Sequence, residues 1–307
     1  MKVFNTEHGL QDDKIWSIRQ DNEGNMLIGT NEHGLSIYKG SSFVSYGFDA
    51  SAENKNIHAI MQDNAGRYWF GSNDGVSVVS FDGDVPEQTI HYNQQNSNIG
   101  NQVRFIRKDD NGNLWLGTDG DGIFMYNTAD QKFVYKFSLN RLLSGDNIVT
   151  AMVIDNQNHL WAGTNDGLVY YEPKSEKGQR LTQINGLAGS AISSLLVDHE
   201  GVIWVGSEGK GLTSIRDTTF TRYNIGGTQT PVTMTEDRQH NILIGTNSQG
   251  LLVFNHDSIV KYYSSKDGLL SNLIATITVD QDNNYYVGTN KGLNKIITGE
   301  NRIISFT

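Results

Sequence analysis

The sequence predicts an all-β protein, a seven-bladed β-propeller of four-stranded antiparallel blades. Three observations carry that prediction. One pattern recurs seven times at nearly constant spacing. Within each copy, two strand-like runs flank a turn rich in Gly, Asn and Asp. No segment shows a sustained helical period.

The clearest copy is 109–124, DDNGNLWLGTDGDGIF. The Gly that ends its apolar run recurs as Gly29, Gly71, Gly117, Gly163, Gly206, Gly245 and Gly288, 39 to 46 residues apart. These mark the blade centres of one domain spanning 1–307. Thr or Ser follows each marker, and a second Gly stands four or five residues on, from Gly34 to Gly292. Two residues before the marker is a large side chain: Leu27, Trp69, Trp115, Trp161, Trp204, Leu243 or Tyr286. Eight before it is always Asp: Asp21, Asp63, Asp109, Asp155, Asp198, Asp237 and Asp280.

A period near 40 to 45 residues suits a propeller blade and also some helical repeats. The residue types decide for strands. The run before each Asp alternates, as in 57–62, and the run after it is rich in aromatic and β-branched residues. Proline is scarce, 3 against 33 Gly, so glycine supplies the turns. In the first blade, strand A is expected at Ile15–Gln20, strand B at Met26–Thr30, strand C at 35–39 and strand D at 42–46. One such sheet cannot bury both faces; seven arranged around an axis can, with only short edges left. The Trp column of strand B is the expected packing material between blades.

Later blades follow the same plan with local variations. Blade 2 has a long approach through 49–56. Blade 3 has the longest B-to-C loop, Asp119-Gly120-Asp121-Gly122. Blade 4 carries an insertion at 140–144, read as a short helical turn. Blade 6 is the least regular in sequence, with Pro231 at a strand start. Both termini resemble an outer strand, 2–4 and 302–306. The C-terminal one is expected to complete blade 7, with 2–4 docked nearby.

Composition narrows the function. Net charge is −10, which argues against nucleic acid or an anionic membrane as the main partner. No apolar stretch is long enough to span a bilayer. The first residues lack a signal-peptide core. Cys is absent, which rules out disulfides, thiolate metal sites and thiol catalysis.

The unit Ile/Val-x-x-Ile-x-x-Asp-x-x-Gly-x-Leu-Trp-hydrophobic-Gly-Thr-x-x-Gly-Leu resembles the two-component regulator propeller repeat. It is legible at 9–35, 101–123, 147–168 and 272–293, and the likeness extends over the whole chain. The resemblance implies an extracytoplasmic sensor propeller, periplasmic or extracellular, as in bacterial hybrid two-component sensors and some diguanylate cyclases. In many of these, two propellers precede an immunoglobulin-like module, a membrane helix and a kinase, and several respond to glycan fragments. This chain has one propeller's worth of repeats and no transducing region, so downstream signalling domains would belong to a longer chain.

The loops that would carry binding lie between strands B and C. They include Asp119, Asp121, Asn165, Asp166, Glu208 and Lys210, side chains able to hydrogen-bond a polyol. Tight turns also demand Asn, Asp and Gly for conformational reasons alone. A second signal is the start of strand A, where blades 1 to 3 carry Trp16, His58 and Arg104. Trp stacks on a sugar face, and Arg and His hold hydroxyls or a carboxylate. The alternative is that Trp16 packs between blades and that Arg104 pairs with a loop Asp.

The Asp before each A-to-B turn is read as a cap for that turn. Neither Asp119/Asp121 nor Asp280/Asp282 has calcium-loop spacing, so neither a metal nor any other cofactor is expected. The run from Asp110 to Trp115 is similar to part of the sialidase Asp box, but Lys108 replaces its Ser. The chain also looks like streptogramin lyases in blade count, without their repeat signatures. The expectation is a non-catalytic propeller for an oligosaccharide or other small polar ligand. A glycan-active hydrolase or lyase and a protein-interaction scaffold are the alternatives, since fold alone does not decide function.

Overall fold

In the structure, a computed structural model, the described residues are 10, 12, 14–31, 33–39, 42–46, 56–83, 85–137, 148–226 and 229–306. The segment 2–4, the insertion 140–144 and most of the approach 49–56 lie outside them. The fold is a seven-bladed β-propeller with four-stranded antiparallel blades, each in the order A-B-C-D. The blades cover 15–46, 59–92, 103–137, 151–181, 192–223, 231–263 and 274–306. One short helix, Gln94–Ser97, joins blades 2 and 3; Asn93 and Asn96 cap it reciprocally. Four residues are too few to register as a helical period.

Two compact units share the blades. The first holds blades 1, 6 and 7; there, strand A of blade 1 packs beside strands A and B of blade 7 (Ile274–Val279 and Tyr285–Thr289). Arg302–Phe306 pairs antiparallel with Gly292–Ile297, so the C-terminal segment is the outer strand of blade 7 as expected. In blade 6, strand A begins at Pro231. The second unit holds blades 2 to 5.

Each blade is built on the same turn. The Asp after strand A accepts two backbone N–H groups through one oxygen, at 2.8 to 3.0 Å in all seven copies. The second oxygen takes a side-chain donor. In blades 2 to 5 this is the indole of Trp69, Trp115, Trp161 or Trp204, at 2.7 to 3.1 Å. Where no Trp is present, other donors substitute. Asn25 serves Asp21 at 2.9 Å, and Asn284 serves Asp280 at 3.0 Å. Asp237 takes Asn241 at 2.9 Å and the Tyr285 hydroxyl of blade 7 at 2.7 Å. Among the described residues, every buried polar side-chain atom has a partner, as a low-dielectric interior requires.

The two glycines of the repeat serve different physical ends. Gly75 turns the chain with φ +81°, and a Cβ there would meet the Tyr92 carbonyl oxygen at 2.0 Å. The marker Gly71 has no unusual φ. A Cβ on it would lie 2.5 Å from the carbonyl oxygen of Val103, in strand A of blade 3 (Val103–Lys108). The marker is therefore Gly because the next blade's first strand sits against it. The residue after the marker closes the B-to-C turn: the Thr118 hydroxyl donates to the Gly122 carbonyl at 2.8 Å, and Thr164 does the same to Gly167 at 2.9 Å.

Between blades 2 and 3 the outer strands are filled by aromatic rings. Trp69 stands 4.6 Å from Tyr126, and Tyr92 stands 4.9 Å from Phe133, centroid to centroid. These are favourable tilted or edge-on distances.

Two substitutions test this account by urea unfolding. Asp198→Ala removes two backbone acceptor contacts and orphans the Trp204 N–H, and is expected to cost about 3 kcal/mol. Gly71→Ala forces apart two packed strands and is expected to cost about 2 kcal/mol. Neither substitution changing the unfolding midpoint would refute the stated roles.

Candidate functional site

In each sheet the B-to-C turn and the start of strand A lie at the same end, opposite the Asp turns. In the second unit this end carries a continuous polar network. His58 immediately precedes strand A of blade 2 (Ala59–Gln62), and its imidazole Nε2 donates to Asn73 Oδ1 at 2.7 Å. The Gln102 amide also donates to Asn73, at 3.0 Å, and meets the His58 ring. Gln102 Oε1 accepts from Arg104 Nε at 3.1 Å, and Arg104 Nη2 donates to Asp119 Oδ2 at 2.5 Å. The backbone holds this together: Asp119 N donates to the Gln102 carbonyl at 2.9 Å, and His58 N to the Gly71 carbonyl at 2.9 Å.

The network spans blades 2 and 3. Arg104 is more than a third exposed, so it can meet a solute as well as Asp119. Burial lowers the His58 pKa, with the Arg104 charge adding to the effect; the Asn73 hydrogen bond and Asp119 oppose it. The net direction leaves a neutral imidazole at pH 7.

The other sequence-predicted residues fall on neighbouring turns. Asp121 accepts from Gly100 N at 2.9 Å and Asn101 Nδ2 at 2.7 Å, so its carboxylate pins the entry to blade 3. On blade 4, Asn165 is exposed and Asp166 is ion-paired with Arg180, whose Nε also donates to the Asp166 carbonyl at 2.8 Å. On blade 5, Glu208 and Lys210 are exposed. Thr150 donates to the Ile192 carbonyl at 2.6 Å, which ties blade 4 to blade 5. Trp16 belongs to the other unit. It is 47% exposed, and its indole donates to Asn31 Oδ1 at 3.0 Å.

The structure thus brings His58, Arg104 and Asp119 into one network. It also places Asn73, Gln102 and Arg180 at this rim, and of these Gln102 and Arg180 are not marked by the repeat. Asn73 was legible as one of the B-to-C turn side chains able to hydrogen-bond a polyol, whereas Gln102, just before strand A of blade 3, was not. Arg180 lies on outer strand D (Lys177–Leu181), and nothing in the repeat indicates that it reaches back to the B-to-C turn. For Arg104 the structure shows the alternative reading, an ion pair with the loop residue Asp119. Among the described residues, no helix is long and apolar enough to cross a membrane.

Comparison with known proteins places these features in a family context. Five segments, 9–32, 51–74, 98–120, 143–166 and 186–209, match the two-component regulator propeller repeat. The chain is similar to histidine kinase P4 of Formosa agariphila, 26% identical over 283 residues, which is 84% of this chain and 20% of the kinase. It is also similar in fold to the extracellular domain of a hybrid two-component system of B. thetaiotaomicron. There the identity is 23% and the TM-score 0.78, over 94% of this chain and 38% of that one. A virginiamycin B lyase of Staphylococcus aureus shares the fold at 14% identity and TM-score 0.75, over 95% and 96% of the two chains. The chain therefore spans about a fifth of the kinase and well under half of the sensor domain.

The depressed His58 pKa has a measurable consequence. A free imidazole titrates near 6.5. In the folded protein, NMR titration of the His58 ring is expected to give a lower value. The unfolded chain then takes up the proton first. His58's contribution to stability is present above 6.5 and is lost as the pH falls through the folded value. A folded pKa at or above 6.5 would contradict this geometry.

Proposed function

Because blades 1 to 5 carry two-component regulator propeller repeats, we propose that the chain is a non-catalytic sensor propeller. On this reading it binds an oligosaccharide, or an acidic derivative of one, outside the cytoplasm. The observation that carries the proposal is the rim network of His58, Asn73, Gln102, Arg104 and Asp119. It sets hydrogen-bonding groups at the end of the blade 2 and blade 3 sheets that carries their B-to-C turns. A neutral imidazole can donate or accept towards a hydroxyl, and an arginine offers paired N–H groups to a carboxylate. Arg180 and Asp166 repeat the same chemistry on blade 4.

Two facts support a sensory role over a catalytic one. The repeat is that of two-component regulators, and the similar B. thetaiotaomicron protein is the extracellular domain of such a system. Transmission of the signal would then fall to domains outside this chain, since the chain matches only 20% of the similar kinase. The exposed Trp16 ring is, by itself, a candidate surface for a sugar face.

The test is a panel of neutral and uronic-acid-containing oligosaccharides, read by calorimetry and by product analysis. An acidic oligosaccharide is expected to bind without being cleaved. Arg104→Ala should weaken that binding roughly tenfold or more while leaving the melting temperature of the free protein nearly unchanged. Absence of binding across the panel, or release of cleavage products, would overturn the proposal.

A further inference from the structure

A cavity lies mainly towards the opposite end of the sheets, where the Asp turns are, and none of the rim-network residues lines it. It is a cleft of about 700 Å³ between blades 4 and 5, within the size range of small-molecule sites.

The cleft coincides with the absence of two rings found between blades 2 and 3. Strand pairing aligns the blades residue by residue. Trp161 corresponds to Trp69, Leu181 to Tyr92, Ile215 to Tyr126 and Phe220 to Phe133. Between blades 2 and 3 the four aromatic rings fill the space between the outer strands. Between blades 4 and 5 the two tyrosines are replaced by Leu181 and Ile215, and all four aligned residues line the cleft. Blade 4 keeps a tyrosine at the position corresponding to Tyr126, namely Tyr171, 6.2 Å from Trp115. Of the two blade pairs in this unit whose aligned residues can both be compared, the gap between blades 2 and 3 holds four rings and that between blades 4 and 5 holds two.

The walls have a consistent chemistry. Tyr170 packs edge-on against His159 at 5.1 Å and against Trp161 at 4.8 Å. Blade 5 supplies Phe220. The Trp161 N–H and His159 Nδ1 both contact Asp155, at 2.9 and 3.1 Å. What these side chains offer to the cleft is ring surface rather than that N–H. The ionisable groups are Asp155, Glu200 and Asp217 with Arg216 and with His159, which pairs with Asp155; among the described residues no Lys lines the space. Arg216 is ion-paired with Glu200 and lies in the field of Asp198 and Asp217. Burial, then the charges of Glu172 and Asp155, raise the Tyr170 pKa, which agrees with a negative potential at the rings.

Aromatic faces combined with excess carboxylate are complementary to a diffuse positive charge. An anion would meet carboxylates. A neutral solute would gain nothing from the charge. We propose that this cleft is a binding site for an organic cation carrying an alkylated ammonium group, distinct from the rim site.

The probe is choline chloride, compared with its neutral isostere 3,3-dimethyl-1-butanol. Binding to the full chain is followed through the five indole N–H signals. Choline is expected to move the Trp161 signal saturably, and the isostere to bind roughly tenfold more weakly. Ile215→Tyr restores the ring present between blades 2 and 3, and should abolish binding while the protein stays folded. Should that variant unfold, Asp217→Asn at the exposed mouth of the cleft is expected to weaken choline several-fold without affecting the isostere. Equal affinity for choline and the isostere, or no movement of the Trp161 signal, would overturn the proposal. So would a neutral sugar displacing choline from the cleft.

Discussion

The structure depends on one carboxylate per blade. Each repeat Asp closes the A-to-B turn through one oxygen and fixes a strand B side chain, or a substitute donor, through the other. A turn and a packing ring are thereby set by a single group. Such bonds are strong because the acceptor is charged, and they are needed because Asp198 and Trp204 are both buried. Replacement of the indole by Asn25, Tyr285 or Asn284 in the first unit shows that the requirement is for a donor, not for Trp as such.

With the turn set, strand B delivers its marker Gly to the inner edge, where the neighbouring strand A comes within a distance that excludes a Cβ. That close approach brings Gln102 beside Asn73 and His58, and so builds the rim from two blades at once. The outer strands answer to a different constraint. They are separated more widely, and rings or their absence decide whether the gap is filled, as with Tyr126, or open, as with Ile215. One scaffold therefore offers two chemically different ends: hydrogen-bonding groups at the B-to-C turns, and ring faces with carboxylates near the Asp turns.

Much of the fold was legible because the repeat is periodic and its residues are local in action. The strands expected at Ile15–Gln20 and Met26–Thr30 have those bounds in the structure, and the outer two strands of that blade differ by one residue each. The site was less legible. His58, Arg104 and Asp119 stood out by position and chemistry, and they do meet. Asp121 proved to hold a backbone entry. Gln102 and Arg180 could not be singled out, because their roles depend on a neighbouring blade and on an outer strand folding back over a turn.

The amino-acid sequence by itself determined the number of blades, the strand order within each and the capping role of the repeated Asp. These follow from side-chain periodicity and turn chemistry acting over a few residues. Only the tertiary structure decided why the marker is Gly, which polar groups share a network and which inter-blade gap stays open. Most of those are contacts between residues of neighbouring blades, such as Asn73 with Gln102 and Gly71 with Val103, and they are set by packing between blades rather than by local preference.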